Sequence, residues 1–508
     1  MNIGRFIIIC LLTIKSYAST NDSSIESKST QGMYSPMKMV FYQLPQSLNP
    51  THCWLVEHLL IVQAVSQSLI RIDEKGSFQG DLATRWHIEN GKKYTFYLDK
   101  HATFHDGTPI TARDVALSLS QHFYPDTKSI VKRYLKEAFG ATPTFDDNIL
   151  SNLKIIDKNT LQVNLENPFP PFLKVLAMGN FSVYKNVNGK LVFSGPMIPK
   201  SYTDEETDLR GWELTHRDSK RKNKILVLQS NNFPQTYSLL KNNKIQLMLG
   251  FSVSDVLDES LSNGLRISKV NSLATSHMYY NTTQPLFTDS TFREDFGRFI
   301  QSEAKKHSNM LTKFSPYFLP RGVLSYNYYN SHKFNALNKS LLLQKWGNRL
   351  KGKTIKIVLM KRAFASEFVS SLKYELESLG LSVDLVLCND QELMHYLKNP
   401  DYDIIGGRFM AGFSDPEGFL NSISEESPLH YGVFNTKWIS DEIDSKRPFK
   451  SSIDRTEAYD SVISKYEDSW GSIPLFRFYV PIIHAKDIKL PNSEFRFVAE
   501  IWKISHDK

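Results

Sequence analysis

Between Tyr94 and Ser118 the apolar positions change period, and the change predicts a strand, a tight turn and a capped helix. In YTFYLDKHATFHDGTPITARDVALS, Tyr94, Phe96 and Leu98 alternate with polar neighbours, the pattern of a half-buried strand. Asp106-Gly107 supplies turn chemistry, because glycine accepts positive φ and aspartate bonds its own backbone. Thr111, with Asp114 three residues on, predicts the start of a helix carrying Val115 and Leu119. No side chain here is placed for catalysis.

Elsewhere the pattern predicts two α/β units. A first strand is expected near Met37, in KMVFYQL. KILVLQS (Lys224 to Ser230), a helix around Pro234 to Lys241, and IQLMLGF (Ile245 to Phe251) form a strand-helix-strand unit. Further on, TIKIVLM (Thr354 to Met360) precedes a helix with Phe364, Phe368, Leu372, Leu376 and Leu379 at helical spacing and Gly380 as its stop. LSVDLVLC, the helix DQELMHYLK and the strand YDIIGG follow, giving β-α-β-α-β and a parallel sheet. Two such units predict two lobes, each with its own sheet. Ligands of open α/β sheets bind beyond the carboxyl ends of the strands. In the second unit those ends are Lys361-Arg362, Asn389 and the segment after Gly407, which singles out GGRFMAGFSDPEGF, Gly406 to Phe419, as a ligand-facing loop.

Length and composition then bound the class. A chain of 508 residues exceeds one core and suggests roughly two to four domains. Hydrophobic content of 41% is that of a globular protein. Arg5, the apolar run Phe6 to Ile14, and Ser16-Tyr17-Ala18 read as a secretory signal peptide over residues 1–18, cleaved after Ala18. Residues before Cys10 lack the small-residue pattern of a lipoprotein site, so a released protein is expected. A polar, disordered leader should cover 19–36. Cys53 and Cys388, the cysteines left after cleavage, are expected to stay unpaired. The net charge of +8 does not require a nucleic-acid partner, and the basic run HRDSKRKNK (His216 to Lys224) reads as a solvated loop.

The segment at Tyr94 to Ser118 closely resembles the signature of the family 5 extracellular solute-binding proteins, the peptide-binding components of ABC importers. Supporting elements occur in family order: SLNP (Ser47 to Pro50), LATRW (Leu82 to Trp86), TLQVNLENPFPPFL (Thr160 to Leu173), Tyr279-Tyr280-Asn281, Phe292-Arg293, FSDPEGFL (Phe413 to Leu420), DRTEAY (Asp454 to Tyr459) and IPLF (Ile473 to Phe476). The resemblance implies an α/β fold of the two-lobed periplasmic-binding-protein type II, in its large three-domain variant with a hinge. One lobe would comprise 37–80, 166–273 and 475–508, an inserted domain 81–165, and the second lobe 274–474. The hinge would be crossed near Leu273 to Tyr280 and near Ser472 to Phe478.

Function follows from the same likeness: a monomeric periplasmic receptor that encloses a peptide or related small ligand and docks on an inner-membrane permease. No cofactor, metal or enzymatic step is implied. Candidate ligand-binding residues are Trp54, Tyr279, Tyr280, Asn281, Arg408, Phe409, Met410, Gly412, Phe413 and Asp415. Two departures stand out. Several peptide binders of the family place an aspartate four residues before the proline of the DP element, to pair with the ligand's amino group; here that position is Gly412, before Pro416. Arg408 nearby could pair with a carboxylate or phosphate. The family's GPY element is altered to Gly195-Pro196-Met197. The ligand is therefore expected not to be an ordinary free-amine peptide.

Competing motifs fall away. GNRLKGKT (Gly347 to Thr354) matches a phosphate-binding loop formally, but it follows a helical run and precedes a strand, the reverse of the order that aims helix N–H groups at an anion. His101 and His105 do not share a helical face, and no G-x-S-x-G elbow occurs. The alternative function is a secreted protein of the same fold that senses or chaperones without transport.

Overall fold

The computed structural model describes residues 36–506, apart from 54, 74–75, 128, 130, 141, 222–223, 252–255, 257–263, 321–322, 324–333, 412–414, 424–435, 446–451 and 492–499. The expected signal peptide, nearly all of the leader, and Trp54, Gly412 and Phe413 lie outside the described residues.

Both predicted α/β units form. Met37–Phe41 pairs in parallel with Lys224–Gln229 on one side and Leu247–Leu249 on the other. The crossover helix Phe233–Lys241 is capped by Asn232, whose side chain accepts from Gln235 N–H. In the second unit Thr354–Met360 is parallel to both Ser382–Cys388 and Ile404–Met410. Its helices are Ser366–Glu377 and Asp390–Lys398, the latter with an Asn389–Glu392 capping box. Phe364, Phe368, Leu372, Leu376 and Leu379 are all buried, each contributing about 1.5–3 kcal/mol. Gly380, at φ +89°, ends that stretch as a left-handed stop.

The two units do not keep separate sheets. One eleven-stranded sheet runs Met197–Thr203, Arg210–His216, Lys224–Gln229, Met37–Phe41, Leu247–Leu249, Ser472–Ala485, Leu265–Tyr280, Ile404–Met410, Thr354–Met360, Ser382–Cys388, with Thr312–Phe314 beside Ser472–Ala485. The bridge between the units is Leu265–Tyr280 and Ser472–Ala485, strands of 16 and 14 residues that pair with each other along their length. Their register breaks twice in succession: Asn271 faces Tyr479 but Thr275 faces Arg477, and Ser276 faces Phe476 but His277 faces Pro474. Such an irregularity bends a ladder and raises its twist.

A separate four-stranded sheet, Ala83–Glu89, Lys93–Leu98, Thr160–Asn164, Leu153–Asp157, holds the segment that opened the sequence reading. Gly107 has φ +83°, and Thr111 and Asp114 form a full capping box for Ala112–Ser120. Phe96, Phe104, Val115, Leu119, Leu161 and Phe172 share one core. Arg217 departs from the expected solvated loop: its guanidinium donates to the Thr103 carbonyl at 2.7 Å and the Phe104 carbonyl at 2.9 Å. It thereby ties the end of Arg210–His216 to the smaller sheet's turn. Gly195 approaches closely as well, since a Cβ there would lie 2.3 Å from the Val65 carbonyl carbon.

The phosphate-loop match is unsuited to anions. Gly347 lies inside the helix Lys339–Leu350, and Thr354 begins a strand. Cys53 and Cys388 are buried and unpaired.

One half-buried acid makes stability pH-dependent. The carboxylate of Glu467, in helix Ser452–Asp468, accepts the Phe318 N–H at 2.7 Å, and burial pushes its pKa from 4.5 up to about 8. Folding therefore takes up a proton. The associated stability is complete below pH ~4.5 and is lost as pH rises through ~8. Glu467→Gln keeps the acceptor without the charge. Urea unfolding should find the variant equal to the native protein at pH 5 and more stable than it at pH 8.5; equal stabilities at both would show that Glu467 ionises freely.

Candidate functional site

The register that aligns Leu359 with Gly406 sets the carboxyl end of Thr354–Met360 beside the first half of Ile404–Met410, which runs on past it. Gly406 permits this closeness, since a Cβ there would lie 2.6 Å from Leu359 Cδ2. The short turn Lys361–Ala363 carries Arg362 away from the first strand, and Arg408 stands near the end of the second. Strand pairing reaches Met410, so Arg408, Phe409 and Met410 belong to a strand and not to the loop expected over Gly406 to Phe419. A helix begins again at Pro416. Of that expected loop, Ala411 and Asp415 are the described residues that belong to neither strand nor helix.

Arg362 reaches the opposite half of the molecule. Its guanidinium lies 5.1 Å from the ring centroid of Tyr42, which follows Met37–Phe41, and its Nη2 donates to Asp390 Oδ2 at 2.5 Å. Arg408 sits 5.5 Å from the Phe478 ring. Guanidinium groups match carboxylates and phosphates through their planar forks of N–H donors. On the Tyr42 side stands Glu57, in the first turn of helix Val56–Val65 and 9% exposed. Burial raises its pKa; its own backbone N–H, and then Arg362 and Arg408 through space, act against that rise, while Asp390 adds to it.

A second contact zone surrounds Asp415. Arg455 donates to both of its carboxylate oxygens, at 3.0 and 2.6 Å, with both side chains buried. Lys174, on helix Phe172–Leu176, lies 3.9 Å from the same carboxylate. Tyr459 donates to Glu417, which also lies 3.5 Å from Arg455. Burial pushes Glu417 up to about 7 against the pull of Arg455.

The ten sequence candidates therefore separate. Tyr279 and Tyr280 are buried at 2% and 0% exposure, and Tyr280 donates its hydroxyl to the Arg293 carbonyl at 2.9 Å. Asn281 is buried too, donating to the Tyr402 carbonyl and accepting from Thr283. Phe409 packs on Phe419, with ring centroids 5.5 Å apart, and Asp415 belongs to the Arg455 pair. Arg408 and Met410 are partly exposed. Sequence reasoning missed Tyr42, Glu57 and Phe478. Glu57 had a signal, because it is the one acid in VEHLLIVQAV, an otherwise largely apolar helix.

The model of the bacterial extracellular solute-binding proteins, family 5 middle region, matches residues 77–429. The periplasmic oligopeptide-binding protein OppA of Escherichia coli is 21% identical over 473 residues, covering 86% of this chain and 85% of that protein. OppA of Salmonella typhimurium is 28% identical over a shorter alignment, 42% of this chain and 39% of the relative's length. Among solved structures, DppA from Helicobacter pylori in complex with the peptide STSA superposes with a TM-score of 0.75 at 18% identity, covering 93% of this chain and 98% of that one. AgaA in complex with agropinic acid, from A. tumefaciens R10, gives 0.72 at 18% identity, with coverages of 92% and 96%. These likenesses establish the two-lobed, mixed α/β type II binding-protein fold. With a family model matched over more than half its length, the chain belongs to the family 5 bacterial extracellular solute-binding proteins.

Proposed function

We propose that this chain is a periplasmic receptor, released after loss of residues 1–18, that binds a small solute between its lobes and delivers it to an ABC permease as a monomer, without chemistry on the solute. The observation that carries the reading is the reach of Arg362, just beyond the strand Thr354–Met360, to within 5.1 Å of the Tyr42 ring in the other α/β unit, with Arg408 on the adjacent strand Ile404–Met410. Bidentate guanidinium donors suit a solute carrying a carboxylate or phosphate. Peptides and related acidic solutes fit, in keeping with the ligands named for the H. pylori and A. tumefaciens proteins. Trp54, Met410, Gly412 and Phe413 remain proposed ligand contacts.

The proposed lobes exchange the chain through Leu265–Tyr280 and Ser472–Ala485, and the register break between Asn271 and Thr275 supports a hinge there. A solute that contacts both walls favours the closed arrangement by its differential affinity. Among the described residues no helix is long and apolar enough to cross a membrane.

Mass spectrometry of solutes released from natively exported protein tests the reading. One acidic solute per chain is expected, and it should be absent when Arg362 and Arg408 are both replaced by alanine. An empty protein whose melting temperature is unmoved by peptide, opine and sugar libraries would overturn it.

A further inference from the structure

A cavity of about 350 Å³ lies at the start of strand Ser472–Ala485, lined from both the helix Ser290–Lys306 and the helix Ser452–Asp468. That volume suits a small organic molecule. Ser472 faces Tyr279, three residues or roughly 10 Å beyond Ser276, the partner of Arg408, on the side away from Met410. The cavity therefore stands apart from the proposed cleft.

Three aromatic side chains, Trp470, Tyr317 and Phe334, form much of its wall. Trp470 is held there in a conformation that bulky residues rarely adopt, with φ +49°. The buried guanidinium of Arg293 fixes that turn, donating to the Ser469 and Trp470 carbonyls at 2.8 and 3.0 Å. Gly297 leaves room for the indole, since a Cβ there would lie 2.7 Å from Trp470 Cζ3. Phe334 is braced by Phe314, with ring centroids 5.0 Å apart.

The charged groups of the wall are three acids and one cation. Arg298, 5.9 Å from the Trp470 ring, is paired with Glu294 of its own helix at 2.6 Å. Glu467 and Asp468 come from the other helix. Glu467 accepts the Phe318 N–H at 2.7 Å, and the influences on it are burial, that N–H and Asp468, with no cation among them. Lys465, on the same helix, is engaged by Glu442 at 2.8 Å. Aromatic faces attract an organic cation through their ring quadrupoles, and a carboxylate pairs with it. An anion would meet acids instead, and a neutral solute would leave Glu467 uncompensated.

We propose that this cavity is a second binding site, for a small organic ammonium ion bedded on Trp470, Tyr317 and Phe334 with Glu467 as its counter-ion.

Calorimetric titration of the exported full chain with choline, and with its neutral carbon isostere dimethylbutanol, tests the site. Choline should bind about 10-fold or more tightly than the isostere, the scale of one cation–π or charge-assisted contact. Glu467→Gln, which keeps an acceptor for the Phe318 N–H, should weaken choline by about 10-fold and leave the isostere unchanged. Choline holds its charge at every pH, whereas burial pushes the Glu467 carboxyl up to about 8. Choline should therefore bind more tightly at pH 9 than at pH 6.5 in the native protein, with that difference abolished in Glu467→Gln. Glu294, Arg298 and Asp468 are common to both proteins. Equal affinity for choline and the isostere, or a choline affinity untouched by Glu467→Gln, would overturn the proposal. So would loss of choline binding in Arg362→Ala or Arg408→Ala, which would place it in the cleft, and so would no binding at millimolar choline.

Discussion

Arg455→Leu is expected to lower the unfolding free energy by about 3–5 kcal/mol at neutral pH, the loss typical of a buried pair stripped of one partner. Asp415 and Arg455 are each 3% exposed by side chain and joined by two hydrogen bonds, with Glu417 3.5 Å from the same guanidinium. Leucine fills the space but leaves two buried carboxylates facing each other with Lys174, 3.9 Å away, as the nearer cation. One of them must then bind a proton for the fold to persist. The loss should therefore shrink as pH falls toward 4.5, because protonation removes the repulsion. Urea unfolding at pH 7.5 and pH 5 measures both effects. A loss below ~1 kcal/mol, the range of exposed pairs, would mean that water already screens this cluster.

The second large effect is on binding. Arg408→Ala and Arg362→Ala should each weaken the natural solute by roughly 10- to 100-fold, the range of one charge-assisted hydrogen bond. Stability should change little, since Arg408 is partly exposed and Asp390 can be resolvated when Arg362 is lost. The wild-type affinity should also fall as salt is raised, and less steeply in either variant. Calorimetry at low and high ionic strength reads all of this. Two variants that bind as tightly as the native protein would remove both arginines from the site.

How much of this was legible in the sequence follows from the range of the interactions concerned. The strand, turn and capped helix at Tyr94 to Ser118 rest on contacts between near neighbours, and they form as the pattern predicts. The parallel order of Thr354–Met360, Ser382–Cys388 and Ile404–Met410 follows from crossover helices visible as periodicity. Joining of the two sheets was not legible. It depends on pairing Leu265 with Ala485, partners 220 residues apart, in strands whose mixed polarity hides their length. Site reasoning met the same limit. Arg408 and the end at Arg362 follow from the strand-end rule, but Tyr280 and Asn281 turn inward to the Arg293 and Tyr402 carbonyls, 13 and 121 residues away. Glu57 is legible only as an oddity, an acid in an apolar helix, until the fold packs Gly250 against it.

A crystal structure of the natively exported protein with its co-purified solute tests the central claim most directly. The account predicts a solute between the two halves, with an acidic oxygen within hydrogen-bonding distance of Arg362 or Arg408. A solute bound elsewhere, or one in the cleft that touches neither arginine, would contradict it.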